Sequence, residues 1–118
     1  LPISSVSRRP GEADGKDKDM DPEIGSRIRD LCDDSALTRR RAVASLRQSG
    51  PTARHAVPAL IDAMRDVDEE VRIGAAVALV SIDKGVAHVA MPRLVEGTSS
   101  RDVGIRTAAR NALRRLRQ

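Results

Sequence analysis

No Phe, Tyr or Trp occurs among the 118 residues, so any core must be assembled from Leu, Val, Ile, Met and Ala. Small aliphatic side chains suit closely packed helices. Their exclusive use also removes the aromatic platforms on which single-stranded nucleic acid usually stacks. The single cysteine, Cys32, excludes an internal disulfide and any CxxC redox or zinc pattern. It reads as a half-buried small apolar residue on a helix. The longest apolar run, Ala75 to Val80, falls far short of the roughly 20 residues that cross a bilayer, so no membrane span is expected. Leu1 to Ser7 has no basic region followed by a long apolar core, as a signal peptide would. The absence of Met at position 1 points to an excised or processed segment, and the cytoplasm is the default compartment.

What the chain does have is a repeat. Val71-Arg72-Ile73-Gly74-Ala75-Ala76-Val77-Ala78-Leu79 returns 34 residues later as Ile105-Arg106-Thr107-Ala108-Ala109-Arg110-Asn111-Ala112-Leu113. A weaker copy upstream, Thr38 to Leu46, sets Arg39 under Arg72, Ala42 under Ala75 and Leu46 under Leu79. Periods of this size indicate stacked helical units. Residues 1–20 are Ser, Pro, Gly and alternating charge with almost nothing to bury, and read as a disordered tail or linker ahead of a helical domain over 21–118.

Apolar spacing and end signals predict about six short helices, near 22–32, 36–48, 54–66, 69–82, 87–97 and 101–117. Asp21-Pro22-Glu23 starts the first. Gly50 and Gly97 are expected to end the second and fifth, and Ser99 with Asp102 forms a capping-box pattern before the sixth. The expected stripes are Ile24, Ile28 and Leu31; Leu37, Ala42, Val43 and Leu46; Val57, Leu60, Ile61 and Met64; and Met91, Leu94 and Val95. The fourth helix is apolar nearly all round, as suits a helix with neighbours on both flanks.

Each repeat also carries fixed intervals. Pro58, Asp66 and Arg72 are spaced by eight and six; Pro92, Ser100 and Arg106 keep both intervals with Ser in place of the acid; Asp33 and Arg39 keep the second. A Pro suits only the first turn of a helix or a bend, and an Asp and an Arg at successive helix ends are placed for a charge-assisted hydrogen bond between units. Asp33, Arg39, Asp66, Arg72 and Arg106 are therefore the expected ties, with the last one weakened by Ser100.

With Gly50-Pro51, Ala56-Val57-Pro58-Ala59-Leu60, Asp66-Val67-Asp68-Glu69-Glu70-Val71-Arg72 and Ala75-Ala76-Val77-Ala78-Leu79, residues 24–117 resemble the HEAT-repeat family, and particularly the short bacterial HEAT-like repeats of phycobilisome lyases. The resemblance implies an all-α solenoid of antiparallel helix pairs, with the Pro-bearing helices lining the concave side. On those helices the partner-facing candidates are Arg29, Asp62, Arg65, Arg93 and Glu96. The implied function is a non-enzymatic protein-interaction or scaffold module with an unidentified protein partner. Bilin-lyase-like activity is a minor alternative that no particular residue carries. HEAT-type metal oxygenases use His-Glu pairs, whereas His55 and His88 are followed by Ala56 and Val89, so neither a metal nor another cofactor is expected.

Charge supplies the second reading. The chain is +4, but residues 1–23 hold four basic and six acidic side chains, leaving +6 on the helical part. Arg106, Arg110, Arg114 and Arg117 form a stripe along the last helix, placed to bind nucleic acid or another polyanion. The same stripe, which replaces Ala76 and Val80 of the fourth helix by Arg110 and Arg114, also reads as the polar outer face of a terminal unit that closes the fold at Gln118. The first helix leaves an unpaired edge, so a monomer or a weak dimer is expected.

Overall fold

A computed structural model describes residues 21–117; the tail expected over 1–20 and Gln118 lie outside the described residues. Six α-helices occur among these residues: α1 (Pro22–Asp30), α2 (Ala36–Ser49), α3 (Val57–Ala63), α4 (Glu69–Ile82), α5 (Ala87–Gly97) and α6 (Val103–Leu116), with 3₁₀ stretches Gly50–Ala56 and Lys84–Val86 leading into α3 and α5. No strand is present among them.

Four helix starts have the same chemistry. Asp21 accepts from the Glu23 amide, Ser35 from Thr38, Asp68 from Val71 and Asp102 from Ile105, each satisfying a donor the helix leaves open and contributing about 1 kcal/mol. The α6 cap is thus Asp102 itself, not the expected Ser99. Helix α3 is shorter than the expected 54–66 because Pro58 has no amide to donate and its ring excludes the carbonyl four residues earlier. Regular helix accordingly begins at Val57, and the residues before it turn as a 3₁₀ stretch broken at Ala53 (φ −94°, ψ 21°). Helix α5 runs through Pro92.

Helix α4 is the centre of the molecule, with nine of its fourteen residues buried. It packs directly on α2 to one side and α6 to the other, and on α3 and α5 behind, which explains an apolar surface on every side. Leu46, Leu60, Leu79 and Leu94 are fully buried and form the backbone of an entirely aliphatic core. Several expected stripe residues lie outside it. Leu37 (52% exposed) and Val95 (56%) face solvent, as Met91 does in part, and the inner face of α5 is made by Ala87, Ala90, Leu94 and Gly97.

Two glycines set the spacing. A Cβ on Gly97 would lie 2.7 Å from Ile73 Cγ2 and 2.8 Å from Ala109 Cβ, so this residue, which ends α5 as expected, is also the point where α4, α5 and α6 converge. A Cβ on Gly74 would meet Val43 Cγ1 at 2.9 Å, where α2 crosses α4. Gly50 does terminate α2, at φ 59° and ψ −142°, a conformation open essentially to glycine alone.

The helices form two layers, α1, α3 and α5 in one and α2, α4 and α6 in the other. Even-numbered helices pack on one another directly, whereas α3 and α5 scarcely touch. A stack that is tight on one layer and splayed on the other curves toward the tight layer. This reverses the expected placement of the concave side, which belongs to α2, α4 and α6, while the Pro-bearing helices lie on the outer face.

Candidate functional site

The six-residue Asp-to-Arg interval has a definite geometry. Arg39 Nη1 donates to the Asp33 carbonyl at 2.8 Å, Arg72 Nη1 to the Asp66 carbonyl at 2.9 Å and Arg106 Nη1 to the Ser100 carbonyl at 2.8 Å. In all three units the Arg therefore reaches back to a backbone oxygen, not to the side chain expected. The residue at that earlier position uses its own side chain to hold the turn: Asp33 accepts from the Ser35 amide, Asp66 from Asp68 and Ser100 from Asp102. Ser100 replaces the acid here without losing this role, since a hydroxyl accepts as a carboxylate does.

The remaining donors of each Arg cross to the next unit. Arg39 Nε and Nη2 bond both oxygens of Asp66 at 2.8 and 3.2 Å, and both side chains are largely buried (14% and 12% exposed). Arg72 Nε and Nη2 meet Glu96 at 3.2 and 2.8 Å. This bond holds the Glu96 carboxyl below its usual range, with the Arg72 guanidinium as the leading cause. Glu96, one turn earlier on α5, thus supplies the acid missing at Ser100. The Ser100 hydroxyl in turn donates to Glu69 at 3.1 Å. A third tie was not anticipated: Arg40 grips both oxygens of Asp68, the α4 cap, at 2.9 and 2.7 Å, and holds its carboxyl below the ordinary range. The run Arg39-Arg40-Arg41 was its only trace in the sequence.

These ties absorb part of the expected contact surface. Glu96 is occupied by Arg72 and by Arg93 (3.2 Å), and Arg93 Nε also caps the end of α3 through the Met64 carbonyl at 2.8 Å. Arg29, Asp62 and Arg65 are exposed, but on the outer layer. On the inner layer a groove of about 240 Å³ crosses α2, α4 and α6. Its floor and walls are Val43, Ala44, Ile73, Gly74, Val77, Ile105 and Ala108, and its rim carries Arg40, Arg47, Glu70 and Asp102. The mid-helix Gly74 was the signal in the sequence, because a glycine that costs about 1 kcal/mol of helix propensity needs a packing reason.

On α6, Arg106 is spent in part on the Ser100 carbonyl, while Arg110, Arg114 and Arg117 are exposed and border a shallow depression with Thr98 and Leu113. Cys32 is exposed at the end of α1, not half-buried as expected. His55 is half-buried and His88 exposed. Among the described residues no three His, Cys, Asp or Glu side chains cluster as a metal site would require, and no helix is long and apolar enough to cross a membrane.

No curated protein matches the chain. A family model described as HEAT repeats matches residues 22–114, the same span over which the Arg-to-carbonyl bond recurs and the helices stack in two layers. HEAT repeats are in general protein-interaction or scaffold modules. On this match and this architecture, the chain belongs to the HEAT-repeat family.

Proposed function

We propose that the protein is a non-enzymatic interaction module whose docking surface is the groove across α2, α4 and α6. The observation that carries this reading is the groove's composition, an apolar floor of Val43, Ile73, Val77 and Ile105 inside a charged rim of Arg40, Arg47, Glu70 and Asp102. Apolar contact supplies affinity, and a rim of both signs selects orientation. With no aromatic residue available as an anchor, binding rests on aliphatic contact and on Arg, which suits a partner that engages the layer over its whole width. Nucleic acid, the alternative for the α6 stripe, is the weaker reading. Arg106 is committed in part to the Ser100 carbonyl, and no Phe, Tyr or Trp is available for base stacking.

Site-specific photo-crosslinking tests the groove. A crosslinker at Ala44, on the groove wall, should capture a protein from lysate after nuclease treatment, and one at Arg29, Asp62 or Arg65 on the outer layer should not. Capture only from the outer layer would overturn the assignment.

A further inference from the structure

The Arg ties run in one direction. Arg39 takes a carboxylate from the second unit and Arg72 takes one from the third, each alongside its own backbone carbonyl. Arg106, the third member, has the same carbonyl bond at 2.8 Å. On the same helix, Arg110, Arg114 and Arg117 form no ion pair among the described residues. In α4 the places equivalent to Arg110 and Arg114 are Ala76 (0% exposed) and Val80 (1%), buried against neighbouring helices. The edge of α6 therefore keeps the location of a stacking surface but presents guanidinium groups in place of methyls. Between them lies Leu113, half-buried beside Thr98 in the depression.

We propose that this edge docks an acidic amphipathic helix of a partner protein. Arg110, Arg114 and Arg117 follow i, i+4, i+7 spacing, a row of about 10 Å on one helix face. A partner helix with Asp or Glu at matching intervals pairs each guanidinium in the two-pronged manner of Arg39 with Asp66. An aliphatic side chain of the same helix covers Leu113. A phosphate polyanion satisfies the charges but leaves Leu113 uncovered, and the edge offers no aromatic face to bases. The mixed character of the patch thus selects protein over nucleic acid. This surface is separate from the groove, and its failure would leave the groove reading untouched.

The test is an NMR titration of the isotopically labelled chain at low salt with three probes: a helical peptide bearing glutamates at i, i+4 and i+7 beside a leucine stripe, a scrambled peptide of the same composition, and a short DNA duplex. The expected result is that the ordered peptide shifts Thr98, Arg110, Leu113, Arg114 and Arg117, binding at least about tenfold more tightly than the scrambled one or the duplex. Arg110→Glu with Arg114→Glu should reduce that affinity by about tenfold or more while leaving the circular dichroism spectrum intact. If the double variant misfolds, Arg117→Glu alone serves. Equal binding of the scrambled peptide, or DNA binding as tight at these residues, would overturn the proposal, as would no shift from the ordered peptide at about millimolar concentration.

Discussion

Replacing Asp66 by Ala removes two charge-assisted bonds to Arg39, at 2.8 and 3.2 Å, and the bond from the Asp68 amide at 2.9 Å that shapes the turn into α4. An exposed ion pair contributes at most about 1 kcal/mol, and removing one partner of a fully buried pair costs about 3–5 kcal/mol. With side chains 14% and 12% exposed, this pair lies nearer the buried limit. Arg39 keeps its bonds to the Asp33 and Asp34 carbonyls, which softens the loss. Together these place Asp66→Ala at a cost of about 2–3 kcal/mol, or about 10–20 °C in Tm for a domain of this size. Without Trp or Tyr the chain has no useful intrinsic fluorescence, so urea unfolding is followed by far-UV circular dichroism.

A double-mutant cycle then separates the two candidate partners. Asp66→Ala should couple to Arg39→Ala by about 1–2 kcal/mol and to Arg72→Ala by less than about 0.5 kcal/mol, since Arg72 bonds only the Asp66 carbonyl, which alanine retains. A stronger coupling to Arg72 than to Arg39 would refute the crossed arrangement of the ties.

Glu96 and Asp68 both have carboxyl pKa values lowered by their Arg partners, so their contribution is complete above the unfolded carboxylate range, near pH 4, and is lost as pH falls through the depressed folded values. Glu96→Gln should therefore lose stability at neutral pH and show a shallower decline on acidification than the parent, and equal acid slopes in urea midpoints would argue against the tie. Gly97→Ala should destabilise by about 1–3 kcal/mol, because the added methyl meets Ile73 and Ala109 below 3 Å and overpacking outweighs the gain of up to about 1 kcal/mol in helix propensity. A more stable variant by urea unfolding would show that the helices do not converge there as tightly as the geometry has it.

The repeat, the helices and most caps were legible because they are local: an Asp before a helix finds an amide two or three residues on, and apolar spacing marks the buried stripe. The direction of curvature was not. The all-round apolar surface of α4 shows that it has neighbours on every side but not that α2 approaches it more closely than α3 approaches α5, a difference that depends on the missing Cβ of Gly74 against Val43. The ties of Arg93 and Glu96 were not legible for the same reason, since their partners, Met64 and Arg72, lie 29 and 24 residues away. Intervals within a unit recorded where each Arg meets a backbone oxygen; the carboxylate across the unit boundary left no fixed spacing. It comes from 27 residues on for Arg39 but 24 for Arg72.

That freedom of spacing bears on what the ties contribute. A core of Leu, Val, Ile, Met and Ala makes no directional contact, and shape alone resists sliding mainly at the close approaches of Gly74 and Gly97. A guanidinium that holds a carbonyl of its own turn and both oxygens of the next unit's carboxylate tolerates no such slide, because its five donors leave in one plane and fixed directions. Lysine, a single point donor on a flexible stem, does not impose that constraint. Arg39 and Arg72 thus add a directional constraint on register to the one that packing supplies. Arg40 adds a second fixed point between α2 and α4, which meet closely at Val43 and Gly74. Register is also what aligns Val43, Ile73 and Ile105 from three separate helices into one groove floor, so Arg39 and Arg72 shape the proposed docking surface without lining it, while Arg40 both ties α2 to α4 and stands on the rim.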